Sequence, residues 1–184
     1  RTAAAQFVAR ARLDMGQVFK SPAFFVLMAL GLFNSGGALW FATNVGEYGG
    51  QIYPVTRALL MPLMGSFGLI PIIISIYYAG ELVWRERERR THEIIDSTPV
   101  GDWAFVGPKV VAISLVLFAT LLISVVAAII SQFGHGYFRI ELDKYLLWYV
   151  LPQGVSWTLI AILAVFLQVL SPHKFIGWAL MVVY

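Results

Sequence analysis

VVAISLVLFATLLISVVAAIISQFGHGYF, residues Val110 to Phe138, runs for 29 residues without an Asp, Glu, Lys or Arg and with a single histidine. A helix that crosses a bilayer needs about 20 consecutive, mainly apolar residues. This stretch exceeds that length and reads as a membrane span. Three more stretches read the same way: Ser21 to Gly46 (26 residues), Ala58 to Gly80 (23) and Tyr145 to His173 (29, ending in a histidine). A fifth apolar run, Phe175 to Tyr184, is 10 residues long. It is too short to cross and reads as the start of a fifth span. The chain also opens at Arg1, so it is expected to be a piece of a longer polypeptide.

Composition agrees. Hydrophobic residues make up 59% of the chain and charged residues 12%, against about 25% charged in soluble domains. So few charges cannot clothe a water-soluble protein of this size. A disordered segment, a nucleic-acid binder and a disulfide scaffold are excluded on the same ground. There is no cysteine, which removes thiolate metal sites, redox chemistry and a cysteine nucleophile. No cleavable signal peptide is visible, because the first 20 residues are basic and amphipathic.

The Lys and Arg residues set the expected orientation. Ten fall on one side: Arg1, Arg10, Arg12, Lys20, Arg85, Arg87, Arg89, Arg90, Lys109 and Lys174. Three fall on the other: Arg57, Arg139 and Lys144. The positive-inside rule puts the ten in the cytoplasm, with the N-terminal arm among them. Trp40, Phe41, Tyr145, Trp148 and Tyr149 then stand at the outer interface, and Tyr77, Tyr78 and Trp84 at the inner one.

Two segments lie outside the spans. In residues 1–20, at about 100° per residue, Ala4, Phe7, Val8, Ala11, Met15, Val18 and Phe19 share a stripe about 120° wide. Gln6, Arg10, Asp14 and Gln17 fall off it. This is expected to be an interfacial elbow helix on the bilayer surface, its arginines placed for anionic headgroups; a soluble helix from a preceding domain is the alternative. The segment 81–109 holds the main charge run. Glu81 and Arg85, and Glu86 and Arg90, have the i,i+4 spacing that supports an exposed helix. Pro99 and Gly101 then break it, which suggests a helical hairpin in the cytoplasm. A solvated linker is the bland alternative.

The stretch ERERRTHEIIDSTPVGDWAFVGPK resembles the intracellular segment of ABC-2-type permeases, the membrane parts of type-2 ABC exporters. An acidic-basic run, a Thr before a Glu, a Thr-Pro-Val and a Lys ten residues past the Pro precede the third span in that family. Here they are Glu86 to Arg90, Thr91 with Glu93, Thr98-Pro99-Val100, and Lys109. Pro108 stands where the family tends to have Gly. A narrower likeness covers nearly the whole chain. SPAFFVLMALGL, YPVTRALL, GSFGLIPIIISIYYAGELVWRERERR, GYFRIEL and VFLQVLSPHKFIG are similar to one permease half of fusion proteins in which a gluzincin-type zinc aminopeptidase domain follows.

The resemblance implies an all-α polytopic membrane protein: an elbow helix, four transmembrane helices plus the start of a fifth, and a cytoplasmic coupling hairpin within a permease half spanning 21–184. It implies residence in a bacterial cytoplasmic (inner) membrane. The partners it implies are the lipid bilayer, an ABC ATPase subunit that brings the ATP, a second permease half and a downstream aminopeptidase domain. The positions carried over as ATPase-coupling are Arg85, Glu86, Arg87, Glu88, Arg90, Thr91, Glu93, Thr98, Pro99 and Lys109.

The chain's own residues offer no catalytic machinery. No G-x-x-x-x-G-K-[ST] is present, so no nucleotide is held through a P-loop. His92-Glu93-Ile94-Ile95-Asp96 has the start of a zinc-protease H-E-x-x-H but lacks its second histidine. Three scattered histidines assemble no Ser-His-Asp set, and no cofactor is expected in the chain itself. Asn34, Ser35, Gly36 and Gly37 in the first span, and Pro62, Gly65, Ser66, Gly68 and Pro71 in the second, serve helix packing or line a translocation face, with Asn34, Ser35 and Ser66 as its polar candidates. No acidic residue lies inside the expected spans, which argues against a proton relay or cation pump. The leading expectation is the permease part of an ATP-driven exporter. The alternatives are a membrane anchor for the aminopeptidase and a receptor or sensor helix bundle.

Overall fold

The structure, a computed structural model, describes residues 2–44, 55–66, 69–88 and 103–183, with backbone alone at 2–3, 86–88 and 104–105. Among the described residues there is no strand. α1 (Thr2–Phe19) is followed, after two residues, by α2 (Pro22–Asn44). Pro22 opens α2 at the position where its missing N–H costs nothing. α3 (Thr56–Ser66) and α4 (Ile70–Glu88) come next, then the long α5 (Trp103–Gly134). α6 (Leu142–Tyr145) passes through a π-helical turn (Leu146–Val150) into α7 (Leu151–Leu170), and α8 (Lys174–Val183) closes the described chain.

Among the described residues, three helical stretches are long and apolar enough to cross a membrane: Pro22–Asn44, Val106–Gly134 and Leu142–Leu170. The protein is therefore a membrane protein on length and composition. The second expected span, Ala58 to Gly80, is not one straight helix. It is divided into α3 and α4, a bent pair, in a stretch where Gly65, Ser66, Gly68 and Pro71 lie close together. Pro71 has no N–H to give to a preceding turn, and glycines weaken the helix before it.

Helix ends depart from the charge-free stretches for local reasons. α5 stops at Gly134, not at Phe138. Gly136 takes φ 76°, Tyr137 N–H donates to the Gln132 carbonyl at 2.9 Å and Gly136 N–H to that of Phe133 at 3.0 Å. That is a Schellman cap, which needs a left-handed residue and so a glycine. The fourth span starts at Leu142, before Tyr145, so Asp143 and Lys144 stand in its exposed first turn. Its π turn precedes Pro152, which cannot donate to the Trp148 carbonyl. The wider turn re-satisfies backbone that a proline frees, with Leu151 N–H donating to the Leu146 carbonyl.

The chain divides into two compact units. One holds Arg1–Ser21, Ile72–Leu117 and Trp157–Tyr184; the other holds Pro22–Pro71 and Phe118–Ser156. The first has a core of Leu82, Ile113, Val116, Ala161, Ala164 and Val165, where alanines let helices approach closely. The second is built on Leu39, Leu59, Leu63, Leu121, Tyr145 and Tyr149. Described basic residues sort with the units as the charge count groups them. Arg10, Arg12, Lys20, Arg85, Lys109 and Lys174 fall in the first, and Arg57, Arg139 and Lys144 in the second.

Candidate functional site

The charged end of the first unit is built on α1. Its buried face is Ala11, Asp14 and Val18, with Phe7 on the same side stacked on Trp103 at 5.6 Å between ring centroids. Gly107 of α5 makes room for that ring, since a Cβ there would lie 2.8 Å from Phe7 Cε2. The expected apolar stripe is thus split: Phe7, Ala11 and Val18 pack on protein, whereas Ala4 and Val8 are exposed. Asp14, expected off the stripe, is 5% exposed and sits within the packed face.

Lys109 is also buried, 3% exposed, and it, Arg10 and Arg85 act on Asp14 through their charges. Burial pushes the Asp14 carboxyl above the ordinary carboxylate range, against the pull of Lys109, Arg10 and Arg85. Its Oδ2 is buried without a hydrogen-bond partner.

α8 docks in the same unit. Lys174 pairs with Glu81, and its Nζ lies 5.2 Å from the Trp178 ring centroid. Trp84 Nε1 donates to Gln168 Oε1 at 2.9 Å, and Gly177 lets α8 pass that amide, a Cβ there falling 2.5 Å from Gln168 Oε1. Tyr78 and Ser21 share a 2.8 Å hydroxyl hydrogen bond, and Tyr78 is buried. Tyr145 and Tyr149 are buried as well, while Trp40 and Trp148 are exposed.

Of the expected coupling residues, Arg85 and Lys109 both bear electrostatically on Asp14. Glu86, Arg87 and Glu88 continue α4 as helix, with their side chains outside the description. Arg90, Thr91, Glu93, Thr98 and Pro99 lie outside the described residues. The translocation candidates separate. Asn34 Nδ2 donates to the Ser66 carbonyl, the last residue of α3, where a helix leaves carbonyls unpaired. Ser35 turns the other way, fully buried, and its Oγ donates to the Leu32 carbonyl at 3.2 Å. Ser66 Oγ returns to the Leu63 carbonyl at 3.0 Å.

A buried polar chain in the second unit was not expected from the sequence. Tyr145 OH donates to Gln132 Oε1 at 3.1 Å, Gln132 Nε2 reaches Thr56 Oγ1 at 3.5 Å, and Tyr149 OH bonds Ser124 Oγ at 2.9 Å. Glutamines inside apolar runs are the available signal, because an amide in a span is stable only with a partner. For Asp14 the signal is its isolation: it is the sole acidic residue before Glu47. No protein-family model, curated protein or solved structure was found to match this chain.

Proposed function

We propose that the chain is a permease half of an ATP-driven exporter, moved by a separate ATPase subunit that binds along 81–109. The observation that carries the reading is the continuity of α4. It runs unbroken from Ile70 in the apolar region to Glu88 in the charged run, so a push on its charged end moves the apolar end as one rod. On this reading the bent pair α3–α4 is the fourth crossing. The N-terminal arm and the α4–α5 ends belong to one unit, which supports a bent pair that brings the chain back to the face it left. The positive charge gathered there fits a cytoplasmic face, and the permease reading makes the membrane a bacterial inner one. A second permease half completes the pathway, and ATP acts only through the partner.

The test is ATP hydrolysis by the full complex in liposomes carrying Glu86→Lys or Glu93→Lys. Reversing a charge against a partner surface costs several kcal/mol, so ATPase docking or coupled hydrolysis is lost while membrane insertion persists. Normal docking and coupling in both variants would remove 81–109 as the transmission element. If no ATPase accompanies the intact parent, an anchor for a peptidase domain becomes the better reading.

A further inference from the structure

We propose that Glu81 is a positioning residue of the transmission element: its carboxylate, on α4, holds Lys174 and so ties the start of α8 to the rod. This rests on the permease reading and carries it one step on, naming the helix to which the rod passes its movement. Gly80 and Glu81 precede Trp84 by four and three residues, so the three share one side of α4. Each of them meets α7 or α8. Glu81 forms an ion pair with Lys174, which lies 93 residues further along the chain. The Trp178 ring lies against Gly80, where a Cβ would run into its Nε1. Trp84 Nε1 donates to Oε1 of the fully buried Gln168 at 2.9 Å, and Gly177 passes close over the same amide. All seven residues belong to one compact unit.

Stability does not account for the ion pair. The Lys174 and Glu81 side chains are 20% and 36% exposed, and a pair open to solvent to that degree adds little to a fold. Lys174 also opens α8, where the positive end of a helix disfavours a cation. Its place is therefore set by Glu81 and by the Trp178 ring, 5.2 Å from its Nζ, and not by its own helix. Two opposite charges on two helices give α8 one position against the rod. A push that enters at 81–109 then reaches α8 at its first turn.

Three sets of variants test this on the full-length parent with its ATPase subunit, by stimulated ATP hydrolysis in liposomes and by melting temperature in detergent. Glu81→Gln and Lys174→Gln are each expected to melt with the wild type yet to lose stimulation by about fivefold or more, the lower end of ordinary coupling free energies. The exchanged pair, Glu81→Lys with Lys174→Glu, is expected to recover a large part of it. In the third set Glu81→Cys and Lys174→Cys stand in a stretch that has no other cysteine, any elsewhere in the parent being replaced by serine. Joining them with a short bismaleimide is expected to restore stimulation, because a covalent tie takes the place of the ion pair.

Wild-type stimulation in either glutamine variant overturns the proposal and leaves the permease reading standing. So does a melting temperature that falls in step with stimulation, which marks a merely structural pair, or an exchanged pair that recovers nothing. Cysteines that do not cross-link, or that stay without stimulation once linked, overturn it on geometry. A wild-type protein that stimulates no ATPase removes the permease reading and the proposal together.

Discussion

Tyr149 and Ser124 meet through hydroxyls inside the second unit, 2.9 Å apart, with both side chains fully buried. Ser124 Oγ also donates to the Leu121 carbonyl at 2.7 Å, so Tyr149 OH is the donor between them and is left unsatisfied when Ser124 is removed. Tyr149→Phe and Ser124→Ala should each lower stability by about 1 kcal/mol, the scale of interhelical hydrogen bonds in membrane proteins. The double variant should cost little more than either. Reversible unfolding in a graded denaturing detergent measures this cycle, and simple additivity would show that the two hydroxyls do not interact. Asp14 shows the opposite balance. Its carboxyl is raised above its ordinary range, so the folded state holds that proton more tightly than the unfolded one. Its contribution to stability is full below the unfolded value and is lost as pH rises through the folded one.

At the scale of elements, the end of α3 is met by a side chain from another helix. Asn34 on α2 caps the Ser66 carbonyl, which an unbroken helix would have satisfied internally. Asn34→Leu keeps the apolar length of α2 and removes the cap, so it should cost about 1 kcal/mol and loosen α3. A faster amide exchange at the end of α3, measured by hydrogen–deuterium exchange in detergent, is the expected sign. Exchange unchanged there would mean that the amide does not hold that end. The apolar lengths of α2, α5 and α6–α7 were legible in the sequence, because the bilayer asks only for a run of given length. The division of the second span was legible only as a cluster of Gly, Ser and Pro. Those residues permit a break, but a run of given length does not say whether one occurs. The face of α1 was harder still. A helical wheel finds the apolar stripe and sets Asp14 on the polar side, because it does not say which part of the helix meets protein.

For the whole molecule, the number of crossings can be read from two engineered cysteines. Arg12→Cys lies before α2 and Arg89→Cys between α4 and α5. If the bent pair crosses, both should label from the same side with an impermeant thiol reagent, and His135→Cys should label from the other. If α3 and α4 form a re-entrant loop instead, Arg12→Cys and Arg89→Cys should label from opposite sides. The π turn at Leu146–Val150 has a consequence of another kind. Such a turn is an α-helix with one residue too many, and in evolutionary terms it is an insertion kept. A relative whose span is α-helical throughout would align with this chain across a gap of one, and that gap belongs within these five residues. Losing a residue there would turn everything on the N-terminal side by about 100°, carrying Tyr145 away from Gln132, so the insertion and the tyrosine should be gained or lost together.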